Sequence, residues 1–105
     1  MNILFICSVN EVRSRTAELI YQKNKQHKVR SAGTETSARV PVTSELIQWA
    51  DTIFVMEQDH KEFLREEFAN QTHNKEIIIL DIADLYFLME PALVRLIKTK
   101  VDPYL

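Results

Sequence analysis

The chain has 105 residues, 46% of them hydrophobic and 27% charged, with a formal net charge of −2. This is ordinary globular composition, enough for one domain spanning 1-105 with a modest core. One Gly and three Pro leave little material for linkers or low-complexity tracts, and there is no basic stripe of the kind that nucleic acid requires.

A single cysteine, Cys7, excludes an internal disulfide and fits a reducing compartment. The N-terminus has no basic region before an apolar stretch, and residues 1–6 are too few for a signal peptide or a membrane span. The expected location is the cytoplasm, with neither membrane nor nucleic acid as a partner.

Residues 2–6 read as a fully buried strand, apolar at consecutive positions as in a parallel sheet covered on both faces. Val12, Thr16, Leu19, Ile20 and Lys23 recur at helical spacing, which predicts a first helix over about 12–26. The cluster Lys23, Lys25, Lys28 and Arg30 alternates with polar residues and reads as a solvated helix end. His27 to Ala32 form a short second strand, and Gly33 supplies a permissive turn after it. Thr43 or Ser44 caps a helix through Leu46, Ile47 and Trp49.

Thr52–Met56 form a third strand, and residues 58–69 a helix with Phe63, Leu64 and Phe68 turned inward. Asn70–Asn74 make a polar break, and Glu76–Leu80 a fourth strand. Pro91 opens a last helix carrying Leu93, Val94, Leu96 and Ile97. Four strand–helix alternations predict an α/β fold: a three-layer sandwich with a four-stranded parallel sheet flanked by helices on both faces. Ligands in such sheets sit beyond the carboxyl ends of the strands. The loop between strand 1 and helix 1, containing Cys7, lies at that edge, as does the loop after strand 4 with Asp81 and Asp84.

The stretch Cys7-Ser8-Val9-Asn10-Glu11-Val12-Arg13-Ser14 therefore runs from a strand into a helix N-terminus, where free amides make an anion site. Five residues between thiol and guanidinium are enough to wrap a tetrahedral oxyanion. Amides from Ser8 to Arg13 would aim inward, with the arginine forking onto two oxygens. Each charge-assisted hydrogen bond contributes roughly 1.5 to 3 kcal/mol in a dry site. Helix-terminal amides and Arg13 favour the cysteine thiolate, and Ser14 can donate its hydroxyl to the sulfur. On Cys7 and Arg13 alone, a buried structural cysteine with an exposed helical arginine fits equally well.

Phe5–Ser14 followed by Thr16-Ala17-Glu18 resembles the signature of low-molecular-weight protein tyrosine phosphatases, in particular a compact bacterial branch. Ser31-Ala32-Gly33-Thr34 resembles the family's segment after its second strand, and Ala50–Glu57 its third strand with an acidic residue at the exit. The resemblance implies that Cys7 is a nucleophile forming a phosphocysteine and that Arg13 clamps the phosphoryl oxygens. It further implies that Asn10 holds the shape of the loop and Ser14 tunes the thiolate, with no cofactor.

The family's general acid lies in an Asp-Pro-aromatic motif after the fourth strand. Asp84-Leu85-Tyr86 stands at that place with Leu for Pro, whereas Asp102-Pro103-Tyr104 matches the tripeptide but follows the last helix. Architecture favours Asp84, since the acid must reach the carboxyl edge of the sheet. Trp49, Tyr86 and Tyr104 are candidate walls of a substrate slot, and Tyr86 has the best claim because it follows the proposed acid.

Four further positions depart from the family pattern. Val9 replaces a Gly, so the loop must adopt another local conformation or carry strain. Glu11 replaces an apolar residue and would repel a phosphate dianion, and Arg15 replaces a common Pro and adds positive charge. Val12 replaces a second cysteine, leaving Cys7 without a resolving thiol.

The function implied is a phosphomonoester hydrolase acting on a phosphorylated protein, through phosphotyrosine, or on small aryl phosphates. Two other classes compete with it. One is a non-catalytic oxyanion or phosphopeptide binder, the other an arsenate reductase drawing on external glutathione, because the thioredoxin-linked type needs further cysteines. His27, His60 and His73 lie on separate elements without metal-ligand spacing, so no metal site is expected and each reads as surface polar.

Overall fold

Residues Ile3 to Cys7 are buried on both faces, which a strand reaches only at the centre of a sheet covered on both sides. In the computed structural model, which describes Met1–Leu105, they belong to strand β1 (Asn2–Cys7). β1 is flanked by β2 (Lys28–Gly33) and β3 (Thr52–Val55), and β4 (Glu76–Ile79) completes the order β2-β1-β3-β4. All three pairings are parallel, with Cys7 beside Gly33, Ile6 beside Val55 and Val55 beside Ile79. The exits of the strands are thereby level.

Alternation of side chains along the strands divides the core into two layers. On one face Ile3, Phe5 and Phe54 pack with Ala17 and Tyr21 of α1 (Arg13–Tyr21) and with Leu93, Ile97 and Val101 of α5 (Pro91–Val101). On the other, Leu4, Ile6, Ile53 and Val55 pack with Ile47 of α2 (Ser44–Trp49) and Leu64 of α3 (Gln58–Glu67). This is the expected three-layer sandwich. Thr43 is the cap of α2, its Oγ1 accepting from Leu46 N at 3.2 Å. No helix is long and apolar enough to cross a membrane.

Several boundaries differ from those expected. Helix α1 stops at Tyr21 rather than near 26. The polar run from Gln22 to Gln26 offers no apolar face, and Asn24 instead turns the chain by accepting from Gln26 N at 2.8 Å. The polar stretch after α3 is partly helical, as α4 (Ala69–Thr72), because the non-helical Phe68 ends one helix and begins the next. Thr72 is fully buried there and its Oγ1 donates to Phe68 O at 2.9 Å. Asp102–Tyr104, beyond the last helix, is a 3-10 turn tied down by Tyr21 Oη donating to Asp102 Oδ1 at 2.5 Å.

Gly33 ends β2 without a positive φ, so backbone freedom is not why glycine stands there. A Cβ at this position would lie 2.4 Å from Ser8 O and 2.6 Å from Ala38 Cβ. Glycine permits the cysteine loop and the segment after β2 to touch backbone to backbone. Gly33→Ala is expected to cost about 1 to 3 kcal/mol through overpacking, measured by denaturant unfolding, with a native-like stability counting against this account.

Candidate active site

The segment from Ser8 to Val12 leaves β1 and enters α1 as a loop whose polar groups are sorted by direction. Carbonyls of Cys7, Ser8 and Val9 accept from the amides of Thr34 (2.9 Å), Glu35 (3.0 Å) and Arg39 (3.0 Å), all in the chain after β2. The Asn10 carbonyl accepts from Arg39 Nε at 3.1 Å. A trans peptide sends its N–H opposite to its C=O, so the amides that follow these carbonyls face the other way. Asn10 N identifies that direction, since it donates to Cys7 Sγ at 3.2 Å. The amides of Ser8, Val9, Glu11, Val12 and Arg13 have no backbone acceptor, which is the donor arrangement of an anion nest.

Asn10 makes this possible by taking the left-handed conformation, φ 59°, which Asn tolerates better than most residues. Fully buried, it donates through Nδ2 to Ser14 Oγ at 2.7 Å and Ser31 Oγ at 2.9 Å. Ser31 Oγ in turn donates to Glu18 Oε1 at 2.6 Å. Val9 has no positive φ, so the loop absorbs the β-branched residue by a different local conformation and without that strain.

Cys7 is buried, and its Sγ lies 2.9 Å from Ser14 Oγ, as the sequence predicts. Arg13 is buried too, against the alternative of an exposed helical arginine. Its Nη1 donates to Glu57 Oε2 at 2.6 Å and to Ile82 O at 2.8 Å. Its Nε lies 3.8 Å from Asp84 Oδ1. One edge of the guanidinium is thus anchored by the exits of β3 and β4, leaving Nη2 and Nε for an oxyanion. The Arg13 hydrogen bond, with help from its charge and against burial, holds the Glu57 carboxyl below the usual carboxylate range.

Asp84 is exposed, with Leu85 and Phe87 projecting beside it at 79% and 81% exposure. Tyr86 is half-buried against the α1–α5 core layer. Glu11 is exposed and Val12 half-buried. Asp102 is bound to Tyr21. Asp81 is exposed with its carbonyl 3.2 Å from Lys100 Nζ.

Two aromatic candidates are not brought to this site. Trp49 packs with the α2–α3 layer under Arg30, 4.5 Å from its ring centroid, and its carbonyl accepts from Asn2 Nδ2 at the opposite, amino end of β1. Tyr104 packs edge-on against Phe54.

The reading of His60 as a surface residue is corrected, for it is 4% exposed. Its Nδ1 accepts from Glu57 N at 3.1 Å, which requires a neutral ring with its proton on Nε2, and Nε2 donates to Ser8 Oγ at 2.9 Å. Burial, and then the charge of Arg13, hold His60 below the usual imidazole range against the pull of Glu57, Asp59 and Asp84.

Sequence reasoning assigned no role to Glu57, His60, Glu18, Ser31 or Arg39. The spacing Glu57-x-x-His60 at a helix start is a capping pattern that could have revealed the first two. Arg39 carries no local signal.

No protein-family model matches the sequence, and no curated protein does. Solved structures do. The tyrosine phosphatase Wzb from Escherichia coli K30, in complex with phosphate, superposes with a TM-score of 0.80 at 19% identity, covering 98% of this chain and 94% of that one. The YwlE arginine phosphatase from Geobacillus stearothermophilus gives 0.74 at 23% identity over 98% and 92%. SP-PTP, a low molecular weight protein tyrosine phosphatase from Streptococcus pyogenes, gives 0.79 at 14% identity over 99% and 93%. The chain has the fold of low-molecular-weight protein tyrosine phosphatases.

The geometry at His60 fixes a pH dependence. Below about pH 6.5 the unfolded chain takes up a proton on this residue that the folded protein refuses. The stability contributed by a neutral His60 is therefore complete above that pH and is lost as pH falls toward the depressed folded pKa. Nitrogen-detected NMR is expected to find the Nε2–H tautomer persisting below pH 6.5, and an imidazolium at pH 6.5 would contradict the assignment.

Proposed function

We propose that residues 1–105 form a single phosphatase domain that hydrolyses aryl phosphates, phosphotyrosine in proteins above all, through a phosphocysteine on Cys7. The observation that carries this is the convergence on one sulfur of Asn10 N at 3.2 Å and Ser14 Oγ at 2.9 Å, within a loop of outward carbonyls closed by the buried Arg13. The location that fits a lone reduced cysteine is the cytoplasm.

In the first step the Cys7 thiolate attacks phosphorus and the bond to the leaving oxygen breaks. Asp84 gives that oxygen its proton. Arg13 and the loop amides carry the charge of the equatorial oxygens. In the second step the Asp84 carboxylate takes a proton from water, the hydroxide attacks phosphorus and the S–P bond breaks. Inorganic phosphate and the thiolate result, with the Ser14 hydroxyl donating to the departing sulfur.

Of the carboxylates, Asp84 fits the acid best. Glu57 is kept ionised by Arg13, and Asp102 is engaged by Tyr21. The exposed Leu85 and Phe87, with Tyr86 behind them, offer an apolar wall beside Asp84 for an aryl group. A phenol leaves with a pKa of about 10, so it also leans less on the acid than an alkyl alcohol does.

A second substrate class is favoured by a specific feature, the Glu57 and Asp84 carboxylates beside Arg13, with the exposed Glu11 on the same loop. Such carboxylates repel a phosphate dianion on a neutral ring but complement a cationic leaving group, such as the guanidinium of phosphoarginine. One structural neighbour bears the name arginine phosphatase. Comparing kcat/KM for phosphotyrosine and phosphoarginine peptides decides between the two. With Glu11→Ala the ratio is expected to move toward phosphotyrosine, and an unchanged ratio would remove Glu11 from specificity.

The main test is hydrolysis of para-nitrophenyl phosphate without added metal. The native protein is expected to turn over and Cys7→Ser to be inactive. Asp84→Asn should be slowed by about a hundredfold to ten-thousandfold, and Asp102→Asn should stay near native. Turnover by Cys7→Ser would refute the mechanism, and a slowed Asp102→Asn with an unaffected Asp84→Asn would reassign the acid.

A further inference from the structure

Arg39 touches the cysteine loop twice. Its backbone N–H donates to Val9 O at 3.0 Å, and its side-chain Nε donates to Asn10 O at 3.1 Å. Its Nη2 lies 3.5 Å from Glu18 Oε1, the carboxylate oxygen that accepts from Ser31 Oγ. The Nε–Nη2 edge of the guanidinium therefore spans the Asn10 carbonyl and the Glu18 carboxylate.

The Asn10–Glu11 peptide differs from those before it in that a side chain, not a backbone amide, holds its carbonyl. A flip of this peptide would exchange the positions of the Asn10 carbonyl and the next amide. In the flipped state the Asn10 oxygen would face the same side as the Asn10 N–H, toward the sulfur, and the Glu11 N–H would face away. A carbonyl oxygen there repels an anion where an amide attracts one. Asn10 Oδ1 makes no hydrogen bond, so its side chain grips the loop through Nδ2 alone. The carbonyl beyond it depends on Arg39.

We infer that Arg39 is a positioning residue of the oxyanion loop, whose Nε hydrogen bond to Asn10 O locks the Asn10–Glu11 peptide and aims the Glu11 amide at the bound oxyanion. It acts through the peptide and does not itself touch the substrate. The inference rests on the proposed reading of the Cys7 loop as an oxyanion cradle and adds to it a residue from the chain segment after β2.

Inorganic phosphate is the probe, titrated into 15N-labelled native protein, Arg39→Met and Arg39→Lys, with the Glu11 amide followed by NMR and the melting temperature measured alongside. Arg39→Met keeps the backbone contact to Val9 and removes the side-chain donor together with its ion pair to Glu18. It is expected to bind phosphate about tenfold or more weakly, the scale of one charge-assisted hydrogen bond, and to lose the Glu11 response. KM for para-nitrophenyl phosphate should rise in parallel. Arg39→Lys, whose ammonium can still reach one acceptor, should recover part of both.

A lower melting temperature in Arg39→Met with an undiminished Glu11 response would overturn the inference, leaving Arg39 a stabilising residue only. If Arg39→Met does not fold, a native Glu11 response and native affinity in Arg39→Lys would overturn it equally, since the fork geometry would be dispensable. Failure of the native protein itself to bind phosphate would sink the cradle as well, and so is distinguishable from failure of Arg39 alone.

Discussion

The contact on which the site depends is between backbones, where the Ser8 carbonyl passes Gly33 at a distance that leaves no room for a Cβ. Because the chain after β2 lies this close, its amides reach successive carbonyls of the cysteine loop, and a loop that would otherwise collapse onto its own donors is held open. Anion binding by backbone is usually credited to the helix N-terminus that follows. Here the segment facing the loop does as much, since it determines which way each peptide points.

The second constraint is electrostatic. Arg13 is buried, and a buried guanidinium must be paired and fully hydrogen-bonded. Glu57 and the Ile82 carbonyl satisfy one edge of it, with Asp84 near Nε. The same contacts pin the exits of β3 and β4 to the start of α1. The geometry of the cysteine loop and the tertiary structure therefore share their anchors, and neither can shift without the other. The neutral His60 extends the arrangement, joining Ser8 on the loop to the backbone of Glu57.

Those parts of the molecule that depend on consecutive residues were legible in the sequence. The apolar runs at 2–6, 52–56 and 76–80 could only be buried strands, and their order gave the sheet. Cys7, Arg13 and Ser14 sit within eight residues of each other on a strand–loop–helix, so local geometry brings them together. The nearness of Asp84 to Arg13 followed from the strand-exit rule.

What was misread required contacts across the fold. His60 lies in a polar helix start and looks solvent-facing until Ser8 is seen to approach it. Gly33 was assigned to a turn because sequence cannot separate backbone freedom from lack of space. The polar run at 22–26 was given to α1, although nothing there packs. Arg39, in a connection without periodicity, had no pattern to betray it.

The anchoring of Arg13 by Ile82 and Asp84 also carries a consequence for biosynthesis. Cys7 and its loop leave the ribosome before the Glu57 and Asp84 carboxylates and the Ile82 carbonyl, which set the arginine from just beyond β3 and β4. At about 5 to 20 residues per second, Cys7 spends several seconds in a nascent chain whose Arg13 has not yet met its partners. The loop between β1 and α1 thereby reaches its final form only after the segment following β4 has emerged, so the order of synthesis sets the order of assembly.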